Sequence, residues 1–117
     1  MGGSRLRDAR NGQSRPMLAN DVRDARQHPV FDATIGALVE RVAHGDPSAF
    51  VHLYDLSVCA VFDRVRAIVS AVDATEDVTR EVMVEVWRRA GAVPTDRTAI
   101  EWILAVADRR ARQWVGA

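Results

Sequence analysis

The chain has 117 residues, 48% of them apolar and 27% charged, enough for one folded domain with a modest core but not for two. No apolar run approaches the roughly 18 residues of a membrane span. Leu6 also stands where a myristoylation signal needs Ser or Thr. The start carries no signal-peptide pattern, and a lone cysteine, Cys59, excludes an internal disulfide, so a cytoplasmic protein without membrane insertion is expected.

The formal charge of zero is an average over unlike segments. All 16 strong bases are arginine. A GC-rich coding sequence favours that choice, and it leaves planar forks suited to phosphates, carboxylates and base edges. Residues 1–33 carry six Arg against four Asp, and residues 34–96 six Arg against ten acids. Residues 97–117 carry Arg97, Arg109, Arg110 and Arg112 against Glu101 and Asp108. An acidic middle and a basic end suggest two different partners.

Residues 1–31 read as a flexible Arg/Gly-rich tail with almost nothing to bury. "RDAR" occurs at 7–10 and again at 23–26, too short to define a repeat, and Met17 is a second candidate start. From Asp32 the helical period takes over with Ile35, Leu38, Val39 and Val42, and "HGD" (44–46) ends that helix. Asp46-Pro47 supplies an N-cap and a first-turn proline for a second helix of roughly 24 residues, about 36 Å long. Its apolar positions run from Phe50 through Leu53, Val61 and Val65 to Val69.

Asp73 with Glu76 resembles a capping box for a third helix, closed by Gly91 and Pro94. Thr98 with Glu101 opens a fourth, with Ile100, Ile103, Leu104, Ala107, Ala111, Trp114 and Val115 on one face. No strand-like alternation occurs. The expected fold is all-α: a compact four-helix domain over residues 32–117 behind a disordered tail.

The third helix poses the functional question. At 100° per residue, Thr75, Val78, Val82, Met83, Val86, Trp87 and Ala90 share the side expected to be buried. Asp77, Arg80, Glu81, Val84, Glu85 and Arg88 share the other. Asp77, Glu81 and Glu85 are spaced four apart, where like charges repel by roughly 0.2–0.5 kcal/mol per pair. Periodicity fits a solvated face with one stray valine. It also fits, less readily, a docking face whose repulsion is relieved by a basic partner.

Three stretches carry a family resemblance: "LVERVAHGDPSAFVHLYD" (38–55), "ATEDVTREVMVEVWRRA" (74–90) and "AIEWILAVADRRARQW" (99–114). In this order and spacing they resemble region 2 of bacterial extracytoplasmic-function (ECF) RNA polymerase sigma factors, the "EVWRRA" wording being similar to the sigma K type. The resemblance implies a four-helix sigma-2 domain that binds RNA polymerase and opens the −10 promoter element, which is single-stranded once melted.

Carried over residue by residue, the resemblance gives Asp77, Arg80, Glu81, Val84 and Arg88 as the face docking on the polymerase β′ clamp helices, with Met83 and Trp87 at its margin. The loop "GAVPTDRT" (91–98) and the fourth helix give Arg97, Thr98, Arg109, Arg110, Arg112 and Gln113 as promoter-DNA contacts. Arg suits phosphate, and such a loop can hold an extruded base. Arg80 stands where the family usually has glutamine, and Asp108 where it often has a base. Trp114 is expected to cap the core, and Trp87 and Trp102 to sit within it. The second helical domain that reads the −35 element in family members has no counterpart before Ala117. The sequence is either an excised piece or a stand-alone sigma-2-like protein, and the Arg/Gly tail, which trimming would remove, favours the second as the expectation.

Other chemistry is thinly supported. His28, His44, His52 and Cys59 form no zinc-type spacing, Asp55 and Asp63 lack a partnering base, and no phosphate loop or nucleophile–base pair occurs. No enzyme activity, cofactor or metal is expected. Two functions stay in view. One is a transcription initiation factor that docks on β′ and contacts the −10 element. The other is a truncated sigma mimic, an interaction module that binds polymerase or an anti-sigma factor without reading promoters.

Overall fold

The computed structural model describes residues 29–116. Among them are four α-helices: α1 (Pro29–Ala43), α2 (Pro47–Val69), α3 (Val72–Arg89) and α4 (Ala99–Gly116), with a 3₁₀ turn at Ala90–Ala92. No strand is present among the described residues, as the periodicity implies. No helix among them is long and apolar enough to cross a membrane. α1 begins three residues before the expected Asp32, taking 29–31 out of the expected tail. The remainder of that tail, with Met17 and His28, lies outside the described residues.

The α1–α2 corner follows from "HGD". Gly45 takes φ +83°, a backbone region that favours glycine. This lets its N–H reach the Val42 carbonyl at 2.8 Å while the Asp46 N–H reaches that of Arg41 at 3.1 Å. Asp46 then turns to α2: one carboxylate oxygen accepts the Ala49 N–H at 3.2 Å. The other takes Arg41 Nε at 3.1 Å and Nη2 at 2.8 Å. The Ala49 N–H first, and Arg41 beside it, hold the Asp46 carboxyl below its usual range.

α2 is the central element, packing on α1, α3 and α4, and α3 lies against α4. Leu53, Val61 and Val65 of α2 are fully enclosed with Ile35, Val78, Val82, Val86, Ile103 and Ala107. Among polar groups in this core, Ser57 returns its hydroxyl to the Leu53 carbonyl at 2.7 Å.

The α2–α3 joint departs from the expected capping box. Ser70 adopts φ 77° and ψ −49°, and the Ala71 N–H bonds the Val69 carbonyl at 3.0 Å, a tight γ-turn of the strained hand. The turn starts α3 at Val72, so Asp73 falls inside the first turn and the capping position belongs to Ala71, which has no side chain to offer. Asp73 still favours the positive end of the helix dipole there. At α4 the box forms as expected: the Thr98 N–H donates to Glu101 at 2.9 Å, and the Glu101 N–H to Thr98 Oγ1 at 3.2 Å.

The tryptophans differ from expectation. Trp102 is buried, but Trp87 is 39% exposed and Trp114 47% exposed. Trp87 leans edge-on against Phe50, ring centres 5.2 Å apart, at the rim of the core. The apolar face of α4 ends at Ala111. Beyond it, Trp114 follows Arg110 by one turn and lies over the outer side of α3, and Val115 faces solvent.

Candidate docking face and arginine cluster

Asp77, Arg80, Glu81, Val84 and Arg88 all face outward on α3, as the helical period predicts. With Arg110 and Trp114 of α4 they line an open hollow of about 570 Å³. Val84 is 46% exposed within it. The structure therefore brings the five α3 residues together and adds two from α4 whose place on this side was not anticipated.

The acids do not form an unpartnered row. Asp77 pairs with Arg80 on its own helix, and Glu81 lies 3.5 Å from Arg110 of α4. Glu85 is not on the exposed face at all; its side chain is 6% exposed. Three arginines converge on it. Arg110 Nε donates to Oε1 at 2.8 Å, Arg89 Nη1 lies 3.1 Å from Oε2, and Arg109 Nη2 bonds the same oxygen.

Burial alone pushes the Glu85 carboxyl up, but the hydrogen bonds from Arg110 and Arg109 and their charge outweigh it, so the group titrates below its ordinary value. The like-charge repulsion that the spacing implies is thus answered within the chain, by Arg80 and Arg89 of α3 itself and by Arg109 and Arg110 that α4 brings across. A signal for this was present: Glu85 follows Val78 by seven residues and Val82 by three, the rhythm of the buried side.

The residues expected to meet DNA are divided. Arg97 and Thr98 precede α4, while Arg109 to Gln113 are near its other end, roughly 21 Å away at 1.5 Å per residue. Thr98 is engaged as the N-cap. Arg97 lies 3.8 Å from Asp96 on the surface. Arg109, Arg112 and Gln113 border a second shallow depression with Asp108. Arg110 points instead toward the α3 hollow. Asp108 is paired with Arg64 of α2 at 2.8 Å. Of the arginines on α4, Arg112 is the one without an ion pair among the described residues.

The sequence also leaves Arg64 and Arg89 unassigned, although Arg64 pairs with Asp108 of α4 and Arg89 shares Glu85 with Arg109 and Arg110. The zinc-type residues lie apart. His44 contacts the Glu40 carbonyl at 2.8 Å, and Cys59 is exposed. No group of three metal-ligating side chains occurs among the described residues. Asp55 and Asp63 are solvent-facing on α2.

Comparison with known proteins fits this architecture into a lineage. The chain is 33% identical over 88 residues to the ECF RNA polymerase sigma factor SigK of Mycolicibacterium vanbaalenii, covering 74% of this chain and 45% of that one. The SigK of Mycobacterium tuberculosis strain H37Rv matches at 33% over 84 residues, covering 71% and 45%. That of Mycobacterium sp. strain KMS matches at 31%, covering 71% and 44%. The chain therefore spans a little under half the length of the curated relatives it matches. No family model matches the chain. No solved structure matches it. Over this shared helical part, the chain belongs to the family of ECF RNA polymerase sigma factors, of the SigK type.

Proposed function

We infer that this domain takes part in transcription initiation as the polymerase-docking region of a sigma-type factor, in the cytoplasm, with RNA polymerase and promoter DNA as partners and no cofactor. α3 docks its outer side on the clamp helices of β′, and the end of α4 with the preceding loop contacts the −10 element. The observation that carries this reading is Val84, half exposed in a hollow ringed by charge, on the side that family resemblance assigns to polymerase. The kinship with the SigK proteins supports the general role.

The way docking works differs from relief of bare repulsion. Asp77 and Glu81 already hold Arg80 and Arg110, so a basic partner exchanges one surface ion pair for another, an exchange worth little. Affinity then comes from covering Val84 and Trp114, and the exchanged charges set orientation. The test is capture of a β′ clamp-helix fragment. Val84→Asp and Glu81→Arg should each abolish capture while helicity by circular dichroism stays unchanged; wild-type levels of capture by both variants remove the docking reading.

A second reading has its own support. Arg109 and Arg110 are engaged by Glu85, which leaves α4 poor in free cations and favours an interaction module that binds polymerase or an anti-sigma factor without reading promoters. Titration with single-stranded −10 oligonucleotides separates the two. Absence of binding at ~50 mM salt, where phosphate contacts are strongest, leaves only the protein partner.

A further inference from the structure

Glu85 has more cationic partners than neutrality requires. Arg89, Arg109 and Arg110 surround one carboxylate, and Arg110 also reaches Glu81. Guanidinium groups gathered on two oxygens of one anion are the arrangement by which arginines also hold phosphate. Meanwhile Arg109 and Arg110 remain 44% and 36% exposed, so an incoming anion can reach them from outside. Arg112, without an ion pair among the described residues, lies beside Arg109 at the rim of the same depression.

We propose that Glu85 is an internal competitor for nucleic-acid phosphate, holding Arg109 and Arg110 folded back on α3 and so restraining DNA binding by α4. The inference rests on the DNA-contacting part of the function proposed above. In the resting domain Arg112 and Arg97 make the first phosphate contacts. Arg109 and Arg110 add theirs only by leaving Glu85, whose remaining partner is then Arg89.

Each phosphate contact to a single strand contributes about 0.7 to the slope of log affinity against log salt. Releasing two arginines should steepen that slope by about 1.4. Between 50 and 200 mM salt such a variant would lose roughly seven-fold more affinity than the wild type does.

The experiment is fluorescence anisotropy of the full chain and of Glu85→Gln with a short thymidine-rich single-stranded oligonucleotide over that salt range. The expected result is tighter binding by the variant at 50 mM and the steeper slope. A variant that binds no tighter, with the wild-type slope, overturns the competitor role and leaves DNA contact by the domain standing. No binding by either protein overturns both. Should Glu85→Gln fail to fold, Arg109→Gln and Arg110→Gln decide the matter with Glu85 in place. Arginines held back from DNA predict an unchanged slope in each, and a slope shallower by about 0.7 in each refutes the proposal.

Discussion

Arg64 of α2 and Asp108 of α4 meet at 2.8 Å across 44 residues of chain, tying the central helix to the helix that carries the DNA candidates. The pair is partly solvated, with side chains 42% and 23% exposed. Pairs of this kind contribute at most about 1 kcal/mol, less in high salt. Asp108→Asn should therefore change urea stability by no more than that. A loss beyond about 2 kcal/mol would mean that Asp108 anchors the α2–α4 contact.

Glu85 should give the domain part of its acid sensitivity. Its carboxyl titrates lower folded than unfolded, so the stabilisation is fully present above the ordinary value of 4.5 and is lost as pH falls through the folded value. Glu85→Gln should lower stability by about 1–3 kcal/mol at pH 7, through lost charged hydrogen bonds. The difference from wild type should shrink toward zero below pH 4.5. Chemical denaturation at a series of pH values checks it, and a constant difference would contradict the assignment.

The Thr98 cap predicts a graded series. Thr98→Ala removes the acceptor of the Glu101 N–H and should destabilise by about 1 kcal/mol, whereas Thr98→Ser, which keeps the hydroxyl, should be near neutral. Thermal melts of the two variants distinguish a capping residue from one kept only for an outside partner.

Ser70 should be improvable. Its φ of 77° carries strain of about 1–3 kcal/mol that glycine escapes, against a chain-entropy penalty of about 0.5–1 kcal/mol. Ser70→Gly should thus be more stable by about 1 kcal/mol, and Ser70→Val clearly less stable than wild type. Urea midpoints give the answer, and a less stable glycine variant would mean the turn is unstrained.

What the sequence disclosed was whatever is decided within a few residues. Asp46 with Pro47 and Thr98 with Glu101 place helix starts because a cap and its N–H groups are chain neighbours. Asp77, Glu81, Val84 and Arg88 are outward because the helical period alone settles their side. Asp73 fails as a cap because the preceding turn, which depends on an unusual Ser70 conformation, moves the helix start. Glu85 is hidden, and Trp114 brought over α3, by the approach of α4. No pattern within one helix reports the charge carried by its neighbour, so the acid row looked bare.

The unequal setting of the three tryptophans makes the domain its own optical probe. Trp102, sealed in the core, supplies a steady blue-shifted background. Trp114 shares the hollow with Val84, so whatever covers that valine also dehydrates this indole and shifts its emission. Engagement of α3 can thus be followed in the unlabelled protein, and Trp114→Phe would remove the hollow's own emitter while leaving Trp102 in the core and Trp87 at the rim in place.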